Sequence, residues 1–405
     1  MKYVIIGNSA AGIGAVEGIR QSDKDGEITL ISSEPYHTYS RPLISYLLLG
    51  KTTEEKMKYR SNDFYDKNKV RFLHATATGV DANEKHVVLE GGECIPFDKL
   101  LVATGSSAFV PPFEGLGTVK DKFTFMCLDD AQKLDSALGK AKRVLIVGAG
   151  LIGLKCAEGI LKKVAHITVI DLAPRILSSI LDDEGAGIVQ RHIGGKGIEF
   201  RPSCGVKSFN CNTAILDNGE KIGFDILVLA VGVRPNTALL NGIAKIERGI
   251  VVNENSETSV PGIYAAGDCT QTIDVSSGQS KIMALLPNAY MQGESAGFSM
   301  AGTEKSFAKA IPMNAISFFG LHVITAGNYT GDVYFNAVGN NYKRLFYSEN
   351  RLNGYILIGN VEKAGIYTSL IRERTPLNTI DFALVCEKPG LMAFTKEARA
   401  ARLSR

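Results

Sequence analysis

One supersecondary pattern occurs twice in this chain, and it constrains the fold more than anything else in the sequence. Tyr3-Val4-Ile5-Ile6 is an apolar run that stops at Gly7-Asn8-Ser9-Ala10-Ala11-Gly12. A helix-period segment follows over 13–19, then a second apolar run, Ile28-Thr29-Leu30-Ile31, and then Glu34. The second copy opens with Val144-Leu145-Ile146-Val147 and turns at Gly148-Ala149-Gly150-Leu151-Ile152-Gly153. Its helix runs to about Lys163, and Ile167-Thr168-Val169-Ile170 leads to Asp171. Strand, tight turn, helix, strand and acid is an order that suits a dinucleotide. Backbone N–H groups and the helix N-terminus meet a diphosphate, and the acid accepts hydrogen bonds from ribose hydroxyls. A glycine turn alone is weak evidence, because glycines also mark ordinary turns. The flanking strand and helix, with the acid at roughly 20 residues, give it weight.

The copies differ in one position. Ser9 stands where the second copy has Gly150; it still offers an N–H and adds a hydroxyl, but its Cβ limits close approach of the backbone. Asp171 favours a free ribose 2′-hydroxyl. Arg175 nearby could meet a 2′-phosphate and weakens that choice, yet the carboxylate would repel that group, which favours NAD over NADP. Two dinucleotide sites in one chain bring two redox carriers together, which points to an enzyme rather than a binding module.

Between and after the copies the pattern continues. Pro35 to Leu43 reads as a loop and carries Arg41 and Pro42, with Arg41 a candidate phosphate or ring contact. A short helix over 43–49 ends at Gly50. Residues 83–96 suggest a small meander with a turn at Gly91-Gly92. Leu100-Leu101-Val102-Ala103 ends in Thr104-Gly105. The strand over 225–229 runs into Gly232, and Ile263-Tyr264-Ala265-Ala266 runs into Gly267-Asp268. An aspartate after glycine is by itself turn chemistry; at a strand end it can also accept hydrogen bonds from a sugar-alcohol chain. A helix rich in small residues spans 285–302. From Ser306 onward the character changes to an antiparallel sheet, with strands at Phe318-Phe319, Val333 to Phe335, Lys343 to Phe346 and Gly354 to Ile358, then a helix over 362–372. The tail over 395–405 is basic and helix-prone, with an exposed position expected.

With 405 residues the chain suggests two or three domains. The formal net charge of +3 is nearly balanced, so charge does not argue for nucleic acid or a membrane surface. No apolar run approaches the ~18 residues that span a bilayer, and no leader precedes the first strand. The seven cysteines form no CxxC pair and are odd in number, which fits reduced thiols in the cytoplasm and leaves no metal or cluster ligand set. The six histidines show no ligand spacing; His37, near Arg41, is the one placed close to a candidate site.

Five features in this order resemble a flavin-dependent pyridine nucleotide–disulfide oxidoreductase: the first turn with Glu34, Ala103-Thr104-Gly105, the second turn with Asp171, the strand end at Gly232, and Gly267-Asp268. The resemblance covers nearly the whole chain. It implies an α/β fold with two Rossmann-like dinucleotide-binding domains plus a C-terminal α+β interface domain. The boundaries read as 1–108 with 232–303 for FAD, 109–231 for NAD, and 304–405 for the interface domain, which suggests a homodimer. By the same resemblance Gly7, Ser9, Ala10, Ala11, Gly12, Glu34 and Asp268 hold FAD, while Gly148, Gly150, Ile152, Gly153 and Asp171 hold NAD(H). Arg41, Pro42, Ala103, Thr104, Gly105, Gly232 and Gly267 line the cofactors.

Disulfide reductases of this group carry CxxxxC after the first turn's loop, and their NADH oxidases and peroxidases carry one cysteine there. This chain has Tyr39-Ser40-Arg41-Pro42-Leu43 instead and no cysteine before Cys94. It is therefore similar to the NADH:rubredoxin and ferredoxin reductases, the flavin part of NAD(P)H nitrite reductases, and flavoprotein subunits that link NAD to ferredoxin. The implied activity moves electrons between NADH and a rubredoxin- or ferredoxin-type protein, or a redox-enzyme subunit, without a cysteine relay. The alternatives are an oxygen-using NADH oxidase and a non-catalytic relay subunit of a larger complex. The ferredoxin-reductase branch pairs a lysine after the Arg-Pro stretch with a glutamate on the second-turn helix. Here those positions are Tyr46 and Lys155, so Lys155 is expected near the flavin with the acid lost; the other reading is a helix-surface lysine.

Overall fold

The structure is a computed structural model that describes residues 1–403, apart from the side chains of 398 and 401–403. The last two residues of the basic tail lie outside the described residues. The chain forms two compact units: residues 1–177, 194–272 and 281–307 make the first, and residues 178–193, 273–280 and 308 onward make the second.

The first unit holds two five-stranded parallel sheets. One has the order Ile263–Ala265, Lys99–Val102, Lys2–Ile6, Glu27–Ser32, Val70–His74. The other has the order Ile198–Arg201, His166–Ile170, Arg143–Val147, Ile226–Leu229, Lys122–Phe123. Both central strands, Lys2–Ile6 and Arg143–Val147, are buried at every residue after the first. A parallel strand is covered on both faces, so it reads as a continuous apolar run rather than an alternating one, which is how both announce themselves in the sequence.

Register decides what gathers at the strand ends. Val102 pairs with both Ile6 and Ala265, so the loops beginning at Gly7, Ala103 and Ala266 leave one sheet edge together. Val147 likewise pairs with Ile170 and Leu229, which gathers Gly148, Asp171 and the run toward Gly232. The expected meander is present as Ala77–Asp81, His86–Leu89 and Cys94–Pro96. A second meander, Val206–Asn210, Thr213–Leu216 and Lys221–Gly223, escapes sequence reading because its strands are short and half-buried. Ser106–Ala108 and Val233–Pro235, the two chain crossings between the sheets, pair antiparallel.

Four helices set the site: α1 (Ala10–Ser22), α2 (Ile44–Leu48), α3 (Leu151–Ile160) and α4 (Leu286–Met300). α1 starts three residues earlier than the apolar period suggested, because the small residues of the turn are already helical. α1 and α4 pack backbone against backbone. A Cβ on Gly14 would lie 2.4 Å from the Tyr290 carbonyl oxygen, and one on Gly293 2.0 Å from the Ala11 carbonyl oxygen.

In the second unit the strands order as Met313–Phe318, Leu321–Gly327, Arg351–Ile358, Asn341–Ser348, Asp332–Val338, all antiparallel. Leu345, Tyr355 and Leu357 of the sheet share a buried core with Tyr367, Leu370 and Ile371 of the helix Ala364–Arg372. The strand Leu321–Gly327 was not expected, since His322 and Thr325 break its apolar run. The architecture is the expected α/β fold with a C-terminal α+β unit.

The helix contact carries a prediction. Gly293→Val should lower stability by at least ~3 kcal/mol, because the backbone of α1 cannot yield. Gly117→Ala, where a Cβ would meet nothing within 4 Å, should change it by no more than ~0.5 kcal/mol. Thermal midpoints of the two purified variants check the contrast.

Candidate functional site

Both glycine turns are built by close contact. Gly7 has φ +121° and Gly148 φ +114°, a region that side-chain-bearing residues avoid. A Cβ on Gly7 would fall 2.1 Å from the Ala103 carbonyl oxygen, and one on Gly148 2.2 Å from the Ala230 carbonyl oxygen. Gly12 and Gly153 press on the carbonyls of Gly7 and Gly148, where a Cβ would sit at 1.9 and 2.0 Å. These four glycines are thus explained by packing within the protein. Gly150 is not: a Cβ there would meet nothing within 4 Å. The space it keeps open lies at the N-cap of α3, where the first helical N–H groups lack partners within the helix. Ile152 is half-buried in the first turn of α3.

At the first turn Ser9 is the N-cap of α1, and its side chain makes no capping bond. Its carbonyl accepts the Ile13 N–H at 3.0 Å, and Ala10 and Ala11 form the helix start with their side chains buried. The neighbouring Asn8 ties the turn to the following loop. Its side chain donates to the Tyr36 carbonyl at 3.1 Å and accepts from the Tyr65 hydroxyl at 2.8 Å.

Glu34 lies just beyond the strand end at Ser32. It accepts from the Tyr39 hydroxyl at 2.6 Å and is ion-paired with Arg41. The Tyr39 hydroxyl in turn accepts from the Leu128 N–H at 3.0 Å. Burial raises the Tyr39 phenol above its ordinary range, with Arg41 opposing and Glu34 adding to the shift. Burial works against the Arg41 guanidinium, but Tyr39 and Glu34 outweigh it and hold it above its ordinary range. Pro42 sits in the short turn Arg41–Leu43 that leads into α2. Asn8, Ser9, Glu34, His37 and Arg41 all line one small cavity. Within that group the His37 Nε2 is buried without a hydrogen-bond partner.

The other strand ends complete the first site. Thr104 and Asn236 are stitched together: the Thr104 hydroxyl donates to the Asn236 carbonyl at 2.6 Å, and the Asn236 side chain donates to the Thr104 carbonyl at 2.9 Å. The Asn236 N–H donates to Gly105 at 2.9 Å. The Gly267 N–H donates to the Gln292 side chain of α4 at 2.9 Å. Asp268 accepts from the Ser106 hydroxyl at 3.3 Å. Burial raises its carboxyl above the usual range, while Ser106 and the Arg41 charge pull it back.

At the second turn Asp171 accepts the Ala149 N–H at 2.6 Å and the Ala173 N–H at 2.8 Å, so its carboxylate is oriented by the turn it serves. Gly232, with φ +121°, sits where the Ile226–Leu229 strand crosses back toward the first sheet, and its carbonyl accepts the Phe109 N–H at 2.9 Å.

Lys155 is not a surface lysine. Its side chain is 13% exposed and pairs with Glu158, which is 4% exposed. Its Nζ lies 4.5 Å from the centre of the Tyr46 ring. The expected loss of an acid is corrected here, because Glu158 on the same helix supplies one three residues later. Alignment of position against position could not find it; the i,i+3 spacing on α3 could have. Asn8, Asn236 and Gln292 were also missed; Asn8 lies within the first glycine turn, but nothing in the sequence around any of the three marks its hydrogen-bond partner.

The thiols around this region are poorly placed for nucleophilic work. Cys127, Cys156 and Cys269 are all pushed up by burial, Cys269 to about 11, which disfavours the reactive thiolate.

Residues 1–293 match the family described as pyridine nucleotide-disulphide oxidoreductase. The chain belongs to that family. Residues 312–375 match the rubredoxin NAD+ reductase C-terminal domain. The NADH-dependent phenylglyoxylate dehydrogenase subunit epsilon of Aromatoleum evansii is 31% identical, over 94% of this chain and 93% of that protein. The NADH-rubredoxin oxidoreductase of Clostridium acetobutylicum is 28% identical, over 89% of this chain and 91% of that one. The chain spans about half the length of some longer curated relatives, among them the nitrite reductase [NAD(P)H] of Bacillus subtilis, of which it covers 48%. A solved putidaredoxin reductase–putidaredoxin complex shares the fold, with a TM-score of 0.88, 22% identity, and coverage of 100% of this chain and 99% of that one.

The residues fit the cofactors of such an oxidoreductase. The Gly150 cradle would be filled by any side chain, both turns open onto helix N-termini, and Glu34, Asp171 and Asp268 stand at the strand ends as hydrogen-bond acceptors. Gly150→Ala should therefore fold normally and keep its flavin absorbance, yet raise the KM for NADH roughly tenfold, ~1.4 kcal/mol. Steady-state kinetics beside a melting curve check it. Asp268 carries a pH prediction. A raised carboxyl binds protons more tightly in the native state, so its contribution is favourable below the unfolded pKa and is lost as pH rises through the folded value. Asp268→Asn should therefore stabilise the flavin-free protein near neutral pH, with the gain vanishing below about pH 4. The same change should loosen flavin retention, and melting curves across pH with a flavin-release assay measure both.

Proposed function

We propose that this chain moves electrons between NADH and a small one-electron carrier protein of the rubredoxin or ferredoxin type, through FAD and without a cysteine relay. It is an FAD-dependent NAD(H) oxidoreductase. The observation that carries the reading is one compact unit with two complete turn–helix–acid sets, whose helices α2 and α3 touch. A Cβ on Gly159 of α3 would lie 3.1 Å from the Ser45 carbonyl oxygen of α2. Bound FAD supplies the step between a two-electron donor and a one-electron acceptor.

In this reading residues 1–108 and 232–303 hold FAD, 109–231 hold NAD(H), and the interface domain begins near 304. Gly7, Ser9, Ala10, Ala11 and Gly12 present backbone N–H groups to the FAD diphosphate, and Glu34 accepts from its ribose. Arg41 and Pro42 shape the loop beside it, and Asp268, steadied by Gly267 and Gln292, accepts from the sugar-alcohol chain. Ala103, Thr104 and Gly105 form the floor. Gly148, Gly150, Ile152, Gly153 and Gly232 receive NAD(H). Asp171, already oriented by two N–H groups, accepts from the free 2′-hydroxyl and repels a 2′-phosphate. Lys155 is the cation placed near the flavin. No side chain has to move a proton in the transfer; the protein aligns two rings and keeps water out. A cytoplasmic setting belongs to the same proposal and is supported by seven cysteines without a disulfide. No helix among the described residues is long and apolar enough to cross a membrane.

The Aromatoleum evansii relative, a named subunit matched over nearly its whole length, favours a second reading in which the acceptor is another subunit of a redox complex. One experiment separates the cases. The protein is reduced anaerobically with NADH and mixed in a stopped-flow cell with rubredoxin, ferredoxin, oxygen or a disulfide. Reoxidation by an iron–sulfur or rubredoxin carrier should outpace oxygen and disulfide by at least ~10-fold, and iodoacetamide treatment should leave turnover intact. A flavin that NADH does not bleach, or turnover abolished by alkylation, defeats the proposal.

A further inference from the structure

On α3, Lys155, Glu158 and Gly159 share the side that faces α2. The ammonium of Lys155 stands over Tyr46 and pairs with Glu158, and Gly159 lets the two helices close on each other. An ion pair with so little exposure is a poor device for stability, because desolvation offsets the attraction. Its place in the fold is more informative. α2 is the first helix after the loop that carries Glu34 and Arg41, and α3 begins at the second glycine turn. Each dinucleotide is held at its own turn, so their reactive ends can meet only where the two halves of the unit meet, and this pair lies at that contact.

We propose that Glu158 is a positioning residue: it holds the Lys155 ammonium against Tyr46 and balances its charge, and the pair thereby sets the reduction potential of the bound flavin. The inference rests on the flavin reading given above. A lone cation in a site of low dielectric favours the more negative, reduced flavin; a carboxylate beside it cancels most of that bias. Removing Glu158 takes away the carboxylate that balances the cation. Removing Lys155 leaves the carboxylate. Removing both returns the local charge to where it began.

The test is the flavin midpoint potential of purified holoprotein, read spectroscopically during dye-coupled reduction without NADH. Glu158→Gln should raise the reduced-to-oxidised ratio at fixed ambient potential roughly tenfold, about 30 mV for a two-electron couple. Lys155→Met should shift it the opposite way, Lys155→Arg should hold the wild-type value, and Lys155→Met with Glu158→Gln should return to within about threefold of it. If Glu158→Gln alone does not fold, the difference between Lys155→Met and the double variant isolates the same effect. The proposal is overturned by a Glu158→Gln potential equal to wild type with flavin content unchanged, or by single variants that shift in the same direction, as loosened packing would cause. A wild-type protein that takes up no flavin overturns the underlying reading instead, so the two failures are distinct.

Discussion

The backbone-to-backbone contact of α1 with α4 fixes where the first site can be. Gly14, Gly18, Gly293 and Gly297 each point a missing Cβ at a carbonyl of the other helix, at 2.4, 2.4, 2.0 and 2.3 Å. The contact joins segments more than 250 residues apart in sequence. It also steers the far strand end, since Gln292 of α4 accepts the Gly267 N–H and thereby sets the loop that carries Asp268. The N-terminus of α1, the glycine turn before it and the Asp268 loop are therefore tied together through α4. A side chain at any of the four glycines would separate the acceptors from the helix end that they complement.

Electrostatics around the turns follows from the same geometry. Parallel strands in register bring their C-terminal loops to one edge, so acids distant in sequence come to stand along the same edge. Arg41 pairs with Glu34, and its charge opposes the burial that raises the Asp268 carboxyl. Asp171 is held instead by backbone N–H groups of its own turn. The two acids are thus held by different means. The first is held by a side chain that also walls the cavity, the second by the fixed dipoles of backbone N–H groups.

Much of this was legible from residues alone, for identifiable reasons. Tyr3 to Ile6 and Val144 to Val147 are covered on both faces, so their apolar runs have no interruption to misread. Gly7 and Gly148 are forced by positive φ, a local demand that leaves a visible glycine. Lys155 stood out because its type was unexpected at its position. Glu158 did not, because a glutamate on an amphipathic helix looks like any solvated acid until its 4% exposure is known. Asn8, Asn236 and Gln292 act through hydrogen bonds to backbone groups far off in sequence, and such partners leave no periodicity. The Val206–Gly223 meander and the Leu321–Gly327 strand were hidden for a related reason: their half-buried faces mix polar and apolar residues.

The sequence by itself determined the two strand–turn–helix–strand repeats, their order, the acid after each second strand and the want of a paired cysteine. Those are local properties, set by backbone sterics, strand burial and residue type. Only the tertiary structure decided that Gly150 faces open space while its neighbours face carbonyls, that Arg41 serves Glu34, and that Lys155 meets Tyr46 and Glu158 at the contact between helices. Each depends on which surfaces meet after the chain has folded back on itself, and the order of residues along a chain does not encode that distance directly.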